Sequence, residues 1–155
     1  MRVTIAAVGT RLPPWAEAAI DELLQRFPAD YSVTVRAVKA VARGSASIER
    51  LRATEAERLR AALPTGAPMV VLDERGREFA TTDFAANCAR WAAPGRLLGF
   101  VIGGADGLDE DLVRGARAVV SLSRMTLPHA LARLMLVEQL YRAWSIGAGH
   151  PYHRA

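Results

Sequence analysis

Scarcity sets the first limits. The chain has one cysteine, Cys88, in a stretch patterned as a helix. A lone thiol forms no internal disulfide, so the chain suits a reducing cytoplasm, and Cys88 reads as a small apolar residue on a helix face. One thiol and three histidines make no metal-ligand set. No apolar run approaches the roughly 20 residues that a membrane span requires. The opening MRVTIAAVGTRLPPW puts one arginine before about seven apolar residues, then a charge and two prolines. That is too short for an export core and reads as a first strand. Repeats, low-complexity tracts and domain boundaries are missing too, so the sequence predicts one domain spanning residues 1–155, long enough for a core of its own.

Lysine is scarce as well. Nineteen of the 20 basic residues are arginine and only Lys39 is lysine. Base composition of a genome can produce Arg- and Ala-rich chains, so the pI near 10.0 says little by itself. Position says more. Residues 1–111 hold 14 basic and 15 acidic side chains. Residues 112–155 hold six arginines (Arg114, Arg117, Arg124, Arg133, Arg142 and Arg154) against the single acid Glu138. All three histidines, His129, His150 and His153, lie in that basic segment. An anionic partner meeting that end is the natural inference.

Strand-like and helix-like segments alternate. RVTIAAVG reads as a strand, PPWAEAAIDELLQRF as an amphipathic helix opened by proline, and YSVTVRAV as a strand of period two. IERLRATEAERLRAAL is a helix with Ser47 as its cap. APMVVLDERG is an apolar strand running into a charged turn, and TTDFAANCARWAA a helix that starts at Thr82 or Asp83. GRLLGFVIGG is a buried strand ending in glycines. A short acidic helix (DEDLVRGA), a strand (ARAVVSLS) and the long helix HALARLMLVEQLYRAWSI complete the chain. Apolar strands separated by helices predict an α/β fold, a mostly parallel sheet covered on both faces. Ligands of such sheets bind beyond the carboxyl ends of the strands.

That rule selects three turns: LDERG, IGGADG and SLSRMTLPH. In the second, Gly103, Gly104 and Gly107 permit positive φ and close approach of a ligand to the backbone. The spacing is not that of a P-loop, and by themselves these residues fit an ordinary strand-to-helix turn better than a cradle. The third turn mixes Ser121, Ser123 and Thr126 with Met125 and Leu127, a set of donors and apolar walls suited to an adenine or a ribose. Thr126 suits a helix cap, with Pro128 in the first turn. The helix that follows is apolar nearly all round, from Leu131 to Ile146, which predicts burial in a homodimer. Within it Glu138 and Arg142 have the four-residue spacing of an ion pair.

Three stretches, VIGGADGL, SLSRMTLPHALARLMLVEQLYRAWSI and the terminal HPYHR, resemble the RlmH family. The opening VGT and the VVLDERG segment match it too. These are small methyltransferases of the SPOUT superfamily that modify a pseudouridine of large-subunit ribosomal RNA. The resemblance covers the whole chain. It implies an α/β knot, a C-terminal trefoil in which the last segment threads a loop, and a homodimer. It also implies S-adenosylmethionine bound in a bent shape by the three turns. Carried over by motif, the cofactor contacts fall at Leu72, Gly103 and Gly104, and along Ser123, Arg124, Met125, Thr126, Leu127 and Pro128, with Arg124 contributing its backbone. The implied substrate is the assembled ribosome, and the implied reaction is methyl transfer to N3 of pseudouridine.

N3 of a uracil-type ring is an imide N–H flanked by two carbonyls, and it becomes nucleophilic when deprotonated. The site must take or withhold a proton, stabilise an anion and align two partners. The terminal residues are of suitable types: Tyr152 to stack on a base, His153 to accept a proton, Arg154 to pair with a phosphate or a developing oxyanion. His129 is expected at the mouth of the cofactor loop. Glu138 and Arg142 are expected to orient the tail, in the same chain or across the dimer. His153, His129 and Glu138 all stand as candidates for the base. Two other classes stay open: a ribosome-binding factor without catalysis, which needs no cofactor pocket, and a knotted methyltransferase of transfer RNA.

Overall fold

Five strands rich in apolar residues pair into one sheet. They are β1 (Arg2–Val8), β2 (Ser32–Val38), β3 (Met69–Glu78), β4 (Leu97–Ile102) and β5 (Ala118–Ser121). Their order is β2-β1-β4-β3-β5, and the registered pairings are parallel. The computed structural model describes residues 1–154, with side chains as far as Tyr152. The side chains of His153 and Arg154, and the whole of Ala155, lie outside the described residues. β1 and β4, near the middle of the sheet, are apolar at almost every position because both their faces are covered. β2 alternates exposed and half-buried residues, as an edge strand covered on one face does.

Helices lie on both faces. α1 (Pro14–Gln25), α3 (Thr81–Trp91) and α5 (His129–Gly147) close one core around Ile5, Phe100, Leu136 and Leu140. α2 (Ile48–Ala62) and α4 (Glu110–Arg114) close the other around Ala6, Leu59, Val101 and Leu112. Cys88 sits in the first core on the buried side of α3, its thiol pushed up to about 12 by burial, which makes it a packing residue. Among the described residues no helix is long and apolar enough to cross a membrane.

Helix starts follow local chemistry. Pro14 occupies the first position of α1. Ser47 Oγ accepts the Arg50 N–H at 3.3 Å and caps α2, a bond worth about 1 kcal/mol. Three local details depart from the sequence pattern. α3 begins at Thr81 behind Ala80, without a side-chain cap. α5 begins at His129 with Pro128 in the cap position, so Thr126 does not cap it. A proline biases the residue before it toward extended backbone, which disfavours a helical turn upstream.

The third departure matters most. β3 does not end at its charged turn. It leaves the sheet after Leu72 and returns at Arg77, and both residues register with Val120 of β5. Gly76 permits the return, because a Cβ there would lie 2.5 Å from the Val120 carbonyl carbon.

Two tertiary hydrogen bonds from one side chain fix how the chain closes. Arg133 of α5 donates to the Val8 carbonyl at 2.5 Å and to the Gly9 carbonyl at 2.7 Å, at the end of β1. β5, which precedes α5, lies three strands away at the sheet edge. Residues 122–128 therefore cross the carboxyl ends of β3 and β4.

Candidate active site

Beneath that crossing lies a cavity of about 520 Å³, within the roughly 300–1,000 Å³ usual for small-molecule sites. The excursion of β3 lines it with Leu72 and residues 73–75, the turn after β4 with residues 102–108, the end of β5 with Val120 and Ser121, and the crossing segment with residues 122, 123 and 125–127. Arg52, Glu110, His129 and Ala132 complete the wall. The three turns thus meet in one place.

The glycines are dictated by what lies behind them. A Cβ on Gly103 would sit 2.7 Å from Leu108 Cγ, and one on Gly104 would sit 2.9 Å from Glu55 Oε2 and 3.1 Å from Val8 Cγ1. Neither takes a positive φ; in that turn only Gly107 does, at +84°. Gly103 and Gly104 are therefore glycines for close packing, not for left-handed backbone, and their bare backbone contributes to the cavity wall.

Hydroxyls shape the crossing segment. Ser121 Oγ donates to the Ser123 carbonyl at 2.9 Å, and Ser123 Oγ accepts the Met125 N–H at 2.9 Å. Arg124 reaches the surface, its side chain 91% exposed, and donates to Glu78 at 3.2 Å. Ser123, Met125, Thr126 and Leu127 line the cavity; Arg124 and Pro128 do not.

The charges there are organised in pairs. Arg75 binds Asp73 at 2.9 Å, and that hydrogen bond holds the Asp73 carboxyl below its usual range. Asp106 is paired with Arg43. His129 sits at the rim. Partial desolvation and the nearby Arg133 charge hold its imidazole below 6.5, with Glu55 opposing, so it is a neutral hydrogen-bond acceptor at pH 7.

Two buried charges behind the cavity escaped the sequence reading. Glu55, 4% exposed, accepts the Val41 N–H at 2.9 Å. Arg133, 2% exposed, has among the described residues the carbonyls at the end of β1 as its hydrogen-bond partners, and its Nε has none there. Each lies on an apolar stripe: Glu55 midway between Leu51 and Leu59, Arg133 one turn before Leu136 and Val137. A charge at helical spacing within such a stripe is the signal that was available.

The remaining candidates gather on the far half of α5. Glu138 accepts from Arg142 Nε at 2.6 Å and from the Tyr152 hydroxyl at 3.4 Å. The Tyr152 ring stands edge-on to Tyr141 at 4.7 Å, with the Arg142 guanidinium 5.1 Å from its centroid. Desolvation, then the charge of Glu138, raise the Tyr152 phenol above its ordinary value. His150 tilts against Trp144 at 5.2 Å. Glu138 is nine residues beyond His129, about 13.5 Å along the helix at 1.5 Å per residue, and neither Glu138, Arg142 nor Tyr152 lines the cavity. Within one chain the cavity and the tail cluster are separate. Among the described residues no group of three His, Cys, Asp or Glu is placed to hold a metal.

Comparison with known proteins gives a consistent result. A family model described as "Predicted SPOUT methyltransferase" matches residues 1–153. The chain is 49% identical over 154 residues, 99% of each chain, to the ribosomal RNA large subunit methyltransferase H of Variovorax paradoxus (strain S110). It is equally similar, 49% over 154 residues and 99% of each chain, to the protein of that name from Acidovorax sp. (strain JS42). The Burkholderia cenocepacia (strain HI2424) protein of the same name is 47% identical over 156 residues, 100% of both.

Proposed function

We propose that this chain, which belongs to the SPOUT methyltransferase family, methylates large-subunit ribosomal RNA at N3 of a pseudouridine, on the assembled ribosome, as a homodimer using S-adenosylmethionine. The cavity under residues 122–128 carries this conclusion. A ribosome-binding factor without catalysis has no use for it, and the names of the relatives favour ribosomal over transfer RNA. Such an enzyme works in the cytoplasm.

The residues present fit the methyl donor. Leu72, Ile102 and Leu127 offer apolar wall for an adenine, Gly103 and Gly104 offer backbone without side chains, and Ser123, Met125 and Thr126 close the cavity. Arg124 and Pro128 act through the backbone of the same segment. When bound, S-adenosylmethionine supplies an electrophilic methyl group on a sulfonium sulfur. In this account α5 and its crossing segment are the threaded part of a trefoil knot. The passage over β3 and β4 supports that threading.

The chain must then produce a nucleophilic N3 and hold it in line. In this reading His129, at the cavity rim, accepts the imide proton, a role worth about 10²–10⁴-fold; its lowered imidazole value supports that assignment. Tyr152 is assigned to stack on the target base, Arg154 to pair with phosphate or the carbonyl oxyanion, and His153 to share the proton transfer. Glu138, bonded to Arg142 and Tyr152, orients the tail. The separation of tail cluster and cavity within one chain supports a dimer in which each tail serves its partner's cavity.

The test uses ribosomes from a strain lacking the gene, incubated with the protein and methyl-labelled donor. The expected result is one new methyl on a pseudouridine of the large-subunit RNA, located by mass mapping. Label confined to transfer RNA, or absent from RNA altogether, would overturn the proposal.

A further inference from the structure

We infer that Arg52 of α2 receives the α-carboxylate of the methyl donor, so that the cavity recognises an amino-acid head group as well as a nucleoside; this rests on the function proposed above. Arg52 is part of the cavity wall. Its Nε donates to the Asp106 carbonyl at 2.6 Å, which fixes the side chain in place. Its terminal nitrogens lie beside Gly107, where even a Cβ would come within 3.6 Å of one of them.

The charge pattern around it points to the ligand. Of the other ionic groups in the wall, Arg75 is bound to Asp73 and Asp106 to Arg43. Arg52 makes no ion pair among the described residues, and neither do Glu74 and Glu110 in the same wall. A cation and two acids share that wall without being bound to an ion-pair partner, a set that complements a zwitterion. The carboxylate goes to Arg52, whose planar fork suits it, while the ammonium and sulfonium charges lie toward the acids. A phosphate of the RNA is the other oxyanion an arginine takes. With Asp73, Glu74, Asp106 and Glu110 set against Arg52 and Arg75, the wall is net acidic, which disfavours a polyanionic strand and favours the small zwitterion.

Titration calorimetry on the full chain tests this with two ligands that share an adenosine and a thioether. S-adenosylhomocysteine carries the amino-acid group; 5′-methylthioadenosine lacks it. The wild type is expected to bind the first about tenfold more tightly, and R52Q to lose that margin while holding 5′-methylthioadenosine unchanged. Equal affinity of R52Q and wild type for S-adenosylhomocysteine would overturn the assignment. So would a parallel loss of both ligands, the mark of a packing role. A ribosome-binding salt slope that falls by about 0.7 in R52Q, with donor affinity intact, would assign Arg52 to a phosphate instead. Should R52Q not fold, decarboxylated S-adenosylmethionine decides on the wild type: it must bind about tenfold more weakly than the intact donor, and equal binding refutes the role. A wild type that binds none of these nucleosides brings down the proposed function itself, and this inference with it.

Discussion

Arg133 and Gly9 are 124 positions apart and joined by a 2.7 Å hydrogen bond from guanidinium to carbonyl. That bond, with its neighbour to Val8, anchors the start of α5 to β1 and so draws residues 122–128 across the sheet. R133M keeps the bulk and removes the donors, leaving buried carbonyls unpaired. The expected loss of stability is about 1–3 kcal/mol, read from the urea midpoint, accompanied by weaker binding of S-adenosylhomocysteine. An unchanged midpoint would contradict the anchor.

Gly76 has a comparable role at the other end of the crossing. A methyl there meets Val120 backbone at 2.5 Å, whereas one at Gly44 meets nothing within 4 Å. G76A should therefore lower stability by about 1–3 kcal/mol and G44A should change it little, compared by thermal unfolding. Equal melting of the two variants would show that the return of β3 tolerates a side chain.

His129 gives a pH test with a definite sign. Its folded value lies below the ordinary 6.5, so the unfolded chain takes up this proton at higher pH than the native one. Stability contributed by the neutral form is present above 6.5 and falls as the solution is acidified below it. Methyl transfer that uses neutral His129 should fall on acidification with an inflection below 6.5, and H129Q should remove that limb along with most of the rate. An acid limb that survives unchanged in H129Q, or a full rate in that variant, would exclude it as the base.

Much of this was legible in residue order, and the reasons are specific. Continuous apolar runs mark β1 and β4 because both their faces are covered, and the alternation in β2 marks an edge. Strand order was not legible, since an apolar strand does not name its neighbours. The charged LDERG stretch hid the continuation of β3, because a strand that leaves and re-enters a sheet breaks the period on which strand recognition rests. Glu55 and Arg133 carry charges that composition assigns to the surface, and only their place on apolar stripes gives them away. The types of residue in the three turns suggested a ligand, but their meeting in one cavity depends on a bond between residues 9 and 133 that no local pattern encodes.

The tail makes a separate prediction. The Tyr152 side chain packs on the outer half of α5, through Glu138, Tyr141 and Arg142. Removing residues 152–155 should leave the circular dichroism spectrum and the dimer seen by light scattering intact while abolishing methyl transfer to ribosomes. Normal methylation by the truncated chain would refute the tail's assignment, and a wild-type monomer at micromolar concentration would refute the dimer.

The most direct measurement is a crystal structure of the protein with S-adenosylhomocysteine. The nucleoside is expected beneath residues 122–128, in contact with Leu72 and the Gly103–Gly104 backbone. A ligand seated anywhere else on the molecule, with that cavity empty, would contradict that placement.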